Sequence, residues 1–264
     1  MKHQIKAFLE FTSGYRAWLE PATDLGEVEA LIDQLKPVPI KQNLVRIGSN
    51  DDGGYLLPDD LEGISACVSP GVSTEVCFDY AVADRGCDIF MADASVDGPP
   101  VNHPRFHFVK KFVDVFEDDR NMRLDTICAA IGREYAGDRL LQMDIEGAEY
   151  RVLLDASDET LESFRIMAIE FHHLTRMFAA FPFAMIRATF QKLLRFHYVV
   201  HIHPNNVCRP TVRGNISIPP VMEFTFLRKD RAKLDPSRRP TLPHPLDREN
   251  VSGIPAVPLP DCWM

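Results

Sequence analysis

Carboxylates and imidazoles gather at a few points of this chain. Asp144-Ile145-Glu146-Gly147 follows the apolar run LLQM, and Glu170 and His172-His173 close the run RIMAIEFHH. His201, His203, Asn205 and Asn206 follow YVV, Asp93 closes CDIFMA, and Gly71 stands in SACVSPGVS. Acids and an imidazole brought together can draw off a hydroxyl proton, with His172 as base and Asp144 or Glu170 orienting it. The same three residues suit a divalent cation such as Mg²⁺, Mn²⁺ or Fe²⁺, which would polarise a substrate hydroxyl. Both readings stay open. Glu149 reads as a capping acid near a helix start, where the dipole favours negative charge. His201 and His203 alternate and so share a face, where with Asn205 and Asn206 they can line an acceptor pocket. His201 is the candidate catalytic group of that pair.

The glycine turn and Asp93 speak to a cofactor. Gly71 lets the backbone turn tightly and approach a ligand, and a helix starting near Thr74 would aim free amides at it. A plain turn explains one glycine equally well. The pattern GxGxxG is missing, which disfavours NAD and FAD. Asp93 follows the turn by about twenty residues, where an acid accepts hydrogen bonds from ribose hydroxyls. S-adenosylmethionine and NAD both carry such a ribose, and a solvated strand-end acid is the plain alternative.

These residues need a frame that holds them together. Apolar runs SACVS, CDIFMA, RLLQM and RIMAIE alternate with helical stretches from about Thr74, RLDTICAAIGREY, EYRVLLDASDETLESF and 175–196. Strands alternating with helices predict a mostly parallel α/β sheet with helices on both faces. Ligands then bind outside the carboxyl ends of the strands, where all the polar groups above stand. RFHFVKKFV alternates as a half-buried strand. Two late strands, YVVHIHPNN and VMEFTFLRK, predict an antiparallel partner at the far edge. A break is expected at 155–157 and a kink near Pro182. RIGSNDDGGYLLPDDLEG reads as turns. Residues 1–36 read as helical, with Ile5, Phe8, Leu9, Ala17 and Trp18 as one amphipathic face and a stop at Lys36-Pro37. The expected division is a helical cap at 1–40, a catalytic domain at 41–234 and a Pro-rich tail at 235–264. The tail reads as an extended arm over the surface or a partner subunit, or as disorder.

The 264 residues are 45% hydrophobic and 25% charged, ordinary for a globular protein that buries a core without disulfides. A net charge of −9 disfavours nucleic acid, whose phosphates need clustered Lys and Arg. Cys67, Cys77, Cys87, Cys128, Cys208 and Cys262 show no CxxC spacing and read as reduced cysteines of a cytoplasmic protein. No secretory signal or bilayer-length apolar run is expected. His3, His103 and His244 fall in loops or tails.

LLQMDIEGAEYRVL followed by IMAIEFHHL resembles the FkbM family of S-adenosylmethionine-dependent methyltransferases. RIGSNDDGGYLL and GCDIFMADAS resemble its subgroup related to the methyltransferase-like proteins. HIHPNN and IPPVMEFTFLRK resemble the late strands of bacterial members, so the likeness covers roughly residues 44–229. It implies a class I, Rossmann-like fold: seven strands, one of them antiparallel. It also implies O-methyl transfer to a sugar or sugar-containing metabolite. By position, Gly71 would lie under the methionine part of the cofactor, Asp93 would hold its ribose, and Asp144 would face the methyl group. Asp52-Gly53-Gly54-Tyr55 would form a loop over cofactor or acceptor. The implied cofactor set is Asp52, Gly53, Tyr55, Ser69, Gly71, Asp93 and Ala94. Ser69-Pro70-Gly71 stands where the family has Asp-x-Gly. One rival is a nucleotide-sugar glycosyltransferase clamping a metal through Asp144-x-Glu146, in the manner of a D-x-D motif. Another is an adaptor that keeps the fold without the activity. A small-molecule or glycan substrate is expected, and the tail leaves room for a homo-oligomer.

Overall fold

The computed structural model describes residues 20–72, 74–132, 135 and 137–264. The amphipathic face expected from Ile5 to Trp18 lies outside them. Helix α1 (Leu25–Leu35) starts at Asp24, whose carboxylate accepts the Gly26 and Glu27 amides at 2.9 and 3.3 Å. It stops at Lys36, because the residue before a proline avoids helical geometry. Strands β1 (Leu44–Gly48) and β2 (Gly54–Pro58) form an antiparallel hairpin. The sequence predicts only turns there. In fact its Asp and Gly residues make just the reversal, and the flanking residues pair.

The α/β alternation follows: β3 (Ala66–Pro70), α2 (Cys77–Ala83), β4 (Asp88–Ala92), β5 (Phe106–Val109), β6 (Phe112–Val113), β7 (Asn121–Met122) and α3 (Leu124–Ala130). Next come β8 (Arg139–Met143), α4 (Glu149–Asp155), α5 (Asp158–Ser163), β9 (Phe164–Phe171), a 3₁₀ turn (Leu174–Phe178) and α6 (Ala180–Phe196). The last strands are β10 (His197–Pro204), β11 (Thr211–Arg213), β12 (Ile216–Ile218) and β13 (Met222–Arg228). The break between α4 and α5 falls where the sequence predicts it, with Ser157 capping α5 through the Thr160 amide at 3.1 Å.

Seven strands build the central sheet in the order β10-β13-β9-β8-β3-β4-β5. All run parallel except β13, which is antiparallel to both β9 and β10. The two late strands thus form an antiparallel pair at the far edge, as the sequence suggests, with β10 outermost and β13 one place in. The chain after β10 detours through the β11–β12 hairpin and returns between β9 and β10. Residues alternate between two cores. Val68, Leu141 and Ile169 pack with α3, α4 and α6, whereas Cys67, Leu140 and Ala168 pack with α2 and the β1–β2 hairpin. Burial on both faces is why these strands read as unbroken apolar runs.

Two local expectations need correction. α2 begins at Cys77 rather than near Thr74, with the Glu75 carboxylate accepting the Cys77 amide at 2.7 Å. Pro182 introduces no break in α6, because it sits in the first turn, where its missing N–H costs nothing. The tail wraps the body. Trp263 is fully buried against Phe224 and donates its indole N–H to Ser217 O at 3.0 Å. No helix among the described residues is long and apolar enough to cross a membrane.

Candidate active site

Three strand ends meet at Gly71. Its φ is +88°, and a Cβ there would lie 1.6 Å from the Asp144 carbonyl oxygen, so only glycine lets β3 turn against the end of β8. The Gly71 amide donates to Ala92 O at 3.1 Å, and the Asp144 amide faces Pro70 O at 3.4 Å. Two cavities open on either side and share Gly71, Asp144 and Glu146 in their walls. The larger, about 370 Å³, runs past Asp93 and Ser95 to the apolar Phe112 and Val113. The smaller, about 170 Å³, is walled by Asp52, Gly53, Tyr55, Glu75, Asp79 and Gln142.

Asp93 is buried at the end of β4, and its Oδ1 accepts the Ser95 amide at 2.7 Å and the Ser95 hydroxyl at 2.6 Å. Ala94, between them, does not line the cavity. Ser69 stays behind the cleft wall, donating its hydroxyl to Gln142 Oε1 at 2.8 Å; Gln142 in turn faces the Tyr55 hydroxyl at 3.3 Å. A direct cofactor contact by Ser69 therefore has no geometric support. On the far wall Arg151 makes a two-pronged pair with Asp114 at 2.7 and 2.9 Å.

Beside the shared wall, β8 and β9 bring Asp144, Glu170 and His172 together. The His172 Nε2 lies 3.8 Å from Asp144 Oδ1, 3.9 Å from Glu170 Oε2 and 3.4 Å from Glu146 Oε2. Its Nδ1 lies 3.1 Å from Glu149 Oε1. Burial pushes the Asp144 carboxyl well above the usual range, with the charges of Glu170 and Glu146 adding to it. Glu170 is raised for the same reason, burial first and then the charge of Glu223. Burial alone would lower His172. The hydrogen bond to Glu149 and the charges of Glu149, Glu170 and Asp144 outweigh it, so the imidazole is raised. Asp144 Oδ1 is shut off from solvent without a hydrogen-bond partner among the described residues.

The loops here are strained. Glu146 (φ 57°) and His173 (φ 58°) are the only non-glycine residues with left-handed φ among the described residues. Such conformations cost on the order of 1–3 kcal/mol each and concentrate at functional sites. A Cβ on Gly147 would lie 2.8 Å from the His173 ring, so the two strained loops press on each other.

Other expectations shift. Glu149 is more than a cap: it is fully buried, and the compact set of potential ligand atoms, within 4.8 Å of one another, is Asp144, Glu149 and His172. The sequence hides this because Glu149 reaches His172 across two loops, and its position in a first helical turn already has an ordinary explanation. His201 does not join the cluster. Its Nε2 lies 2.9 Å from Asp247 of the tail, and it lines a separate pocket with His244 and Arg238. His203 also faces Asp247, at 3.6 Å. Of the expected acceptor pair, Asn205 donates to Glu170 Oε1 at 2.7 Å, whereas Asn206 holds the tail carbonyls of Val251 and Ile254. Asp79 and Asn250 were not legible as site residues. Asn250 bonds Glu223, the cross-strand neighbour of Glu170, and reaches Asp52 at 3.3 Å.

Among solved structures the chain is similar to a fibrillarin/Nop5p complex (11% identity over 64% of this chain and 74% of that chain, TM-score 0.38). It is also similar to a putative rRNA methylase from Clostridium thermocellum (10% identity, 80% and 98%, TM-score 0.35). A third likeness is to the Methanococcus jannaschii fibrillarin pre-rRNA processing protein (9% identity, 82% and 85%, TM-score 0.35). At these scores the likenesses add nothing to the sheet order. No curated protein sequence matches. The family model of the methyltransferase FkbM domain matches residues 18–198. That match displaces the glycosyltransferase and adaptor alternatives: the chain belongs to the FkbM methyltransferase family and is an S-adenosylmethionine-dependent methyltransferase.

Proposed function

We propose that this enzyme methylates a hydroxyl oxygen of a sugar or sugar-containing metabolite. The observation that carries the reading is the imidazole of His172 set among Asp144, Glu146 and Glu170 beside the wall shared by both cavities. S-adenosylmethionine, when bound, supplies a methyl group on a positively charged sulfur. The residues present fit it: Gly71 leaves room for close approach, and Asp93 is placed to accept from ribose hydroxyls. Asp52, Gly53 and Tyr55 wall the smaller cavity, where the methionine part belongs.

The chain's own groups then have two tasks. Asp144, which lines both cavities, accepts a hydrogen bond from the acceptor and holds it, with Glu170 packed behind, and positioning of this kind supplies much of the acceleration. Once the raised imidazole has lost its own proton, His172 Nε2 takes the hydroxyl proton, a step that commonly contributes about 10²–10⁴ in rate. An acid-lined cleft and a net charge of −9 support a small polar acceptor over a nucleic acid. Six unpaired cysteines support a reducing compartment such as the cytoplasm.

A second reading sets a divalent cation (Mg²⁺, Mn²⁺ or Fe²⁺) between Asp144, Glu170 and His172 Nε2. The unpartnered Asp144 Oδ1 favours it. Glu149 Oε1 already has three partners, whereas its Oε2 has none among the described residues and is a further candidate ligand.

The test offers the purified protein labelled cofactor and a panel of sugars, nucleotide sugars and RNA. Transfer to a sugar hydroxyl is expected, with Asp144→Ala reducing it at least about a hundredfold while S-adenosylhomocysteine still raises the melting temperature. Transfer to RNA or to nitrogen alone, or full activity in Asp144→Ala, sinks the reading. Unchanged turnover after chelation removes the cation version.

A further inference from the structure

We propose that Glu149 is a positioning residue of the reaction: its carboxylate accepts a hydrogen bond from the Nδ1–H of His172, fixes the tautomer, and leaves the Nε2 lone pair for the acceptor hydroxyl. The inference deepens the reading of His172 as base and rests on it.

Glu149 opens α4 and is fully buried. A carboxylate is not placed in such a site for solubility, and burying one is costly unless its oxygens are bonded. Glu149 Oε1 accepts the amides of Ile145 at 3.2 Å and Gly147 at 2.9 Å. An oxygen that accepts twice is an acceptor for its third neighbour too. His172 Nδ1, at 3.1 Å, must then carry the hydrogen. The other side of the ring is different. Glu146, Asp144 and Glu170 stand 3.4, 3.8 and 3.9 Å from Nε2, wide of hydrogen-bond geometry. Nε2 is thus the nitrogen left for chemistry.

The same oxygen also ties two loops. Ile145 and Gly147 flank the left-handed Glu146 in the loop after β8, while His172 follows β9. Tyr150, the next residue of α4, donates its hydroxyl to His172 O at 2.7 Å. Ring and backbone of His172 are therefore both held from the first turn of α4. A simple helix cap would satisfy the amides and need no imidazole.

The test uses the full chain, with Glu149→Gln and Glu149→Asp. Three quantities are read: kcat for a hydroxyl acceptor, the Kd of S-adenosylhomocysteine, and the ¹⁵N shifts of the His172 ring. With the ring neutral, at a pH above its raised value, the wild type should show Nδ1 protonated and Nε2 bare. In Glu149→Gln, kcat should fall about a hundredfold or more, the direction seen when the acid behind a catalytic histidine is neutralised. The Kd should stay within about twofold of wild type, since Glu149 lines neither cavity. The His172 signals should move toward the other tautomer, and Glu149→Asp should recover part of both. Wild-type kcat or an unchanged tautomer in Glu149→Gln overturns the proposal. So does loss of kcat, cofactor affinity and melting temperature in step, which marks a cap alone. If the wild type methylates no hydroxyl, the functional reading fails, while the ring shifts still decide whether Glu149 sets the tautomer.

Discussion

A single methyl group measures how tightly the cleft is built at Gly71. Added there, it would overlap the Asp144 carbonyl oxygen at 1.6 Å, on a backbone already at φ +88°. Neither partner is a flexible side chain, so β3 and β8 would have to part. Gly71→Ala is expected to cost more than about 2 kcal/mol and to abolish S-adenosylhomocysteine binding. Denaturant melts and calorimetric titration check this. A variant that folds and binds as the wild type does would show that the two strand ends are not locked. Chemistry here depends on neighbours rather than residue type. Asp93 holds Ser95, while Asp144 is buried with an unpartnered oxygen.

Three strand ends deliver groups to the same rim because parallel strands all point the same way, and the rim lies where the apolar run ends. β4 ends in Asp93, β8 in Asp144, and β9 in Glu170 and His172. This division of labour predicts separable effects. Replacing Asp93 by Ala should raise the KM for S-adenosylmethionine by about tenfold to a hundredfold, from the loss of charge-assisted hydrogen bonds worth about 1.5–3 kcal/mol. kcat at saturation should change little, because on the proposed reading the β4 end lies on the cofactor side of the cleft. A collapse of kcat with KM unchanged would place Asp93 in the chemistry instead.

The whole molecule is closed by its tail. Asp247 sits between His201 and His203 of β10, and Asn250 links Glu223 to Asp52 beside the smaller cavity. Burial alone would raise Asp247, but its hydrogen bond to His201 and the neighbouring imidazole of His203 hold it well below the usual carboxylate range. Burial alone would lower His203, but the adjacent Asp247 carboxylate at 3.6 Å and the charges of Glu223 and Glu249 raise it. Arg46 of β1 and His201 also face this group. The signs give a window. The raised His203 contributes fully below its unfolded pKa of about 6.5 and loses that contribution as pH rises through its folded value. The depressed Asp247 contributes from about pH 4 upward and loses its share only in strong acid. The tail should therefore hold best near pH 5–6 and loosen by about 1–2 kcal/mol toward pH 9. Hydrogen exchange over residues 235–264, corrected for intrinsic rates, measures this. The same pH response in His203→Asn would assign it elsewhere.

The sequence by itself determined the α/β alternation, the strand ends at Asp93, Asp144 and Glu170, and the break between α4 and α5. Those features follow from local periodicity and from the rule that parallel strands open their sites at one end. Which face a strand-end residue turns to, and what it meets there, depends on strand order and loop path. Only the tertiary structure decided that β13 enters between β9 and β10, that Glu149 lies behind His172, and that His201 belongs to Asp247 of the tail. These contacts join residues 23 and 46 positions apart, and no pattern within a single element records them.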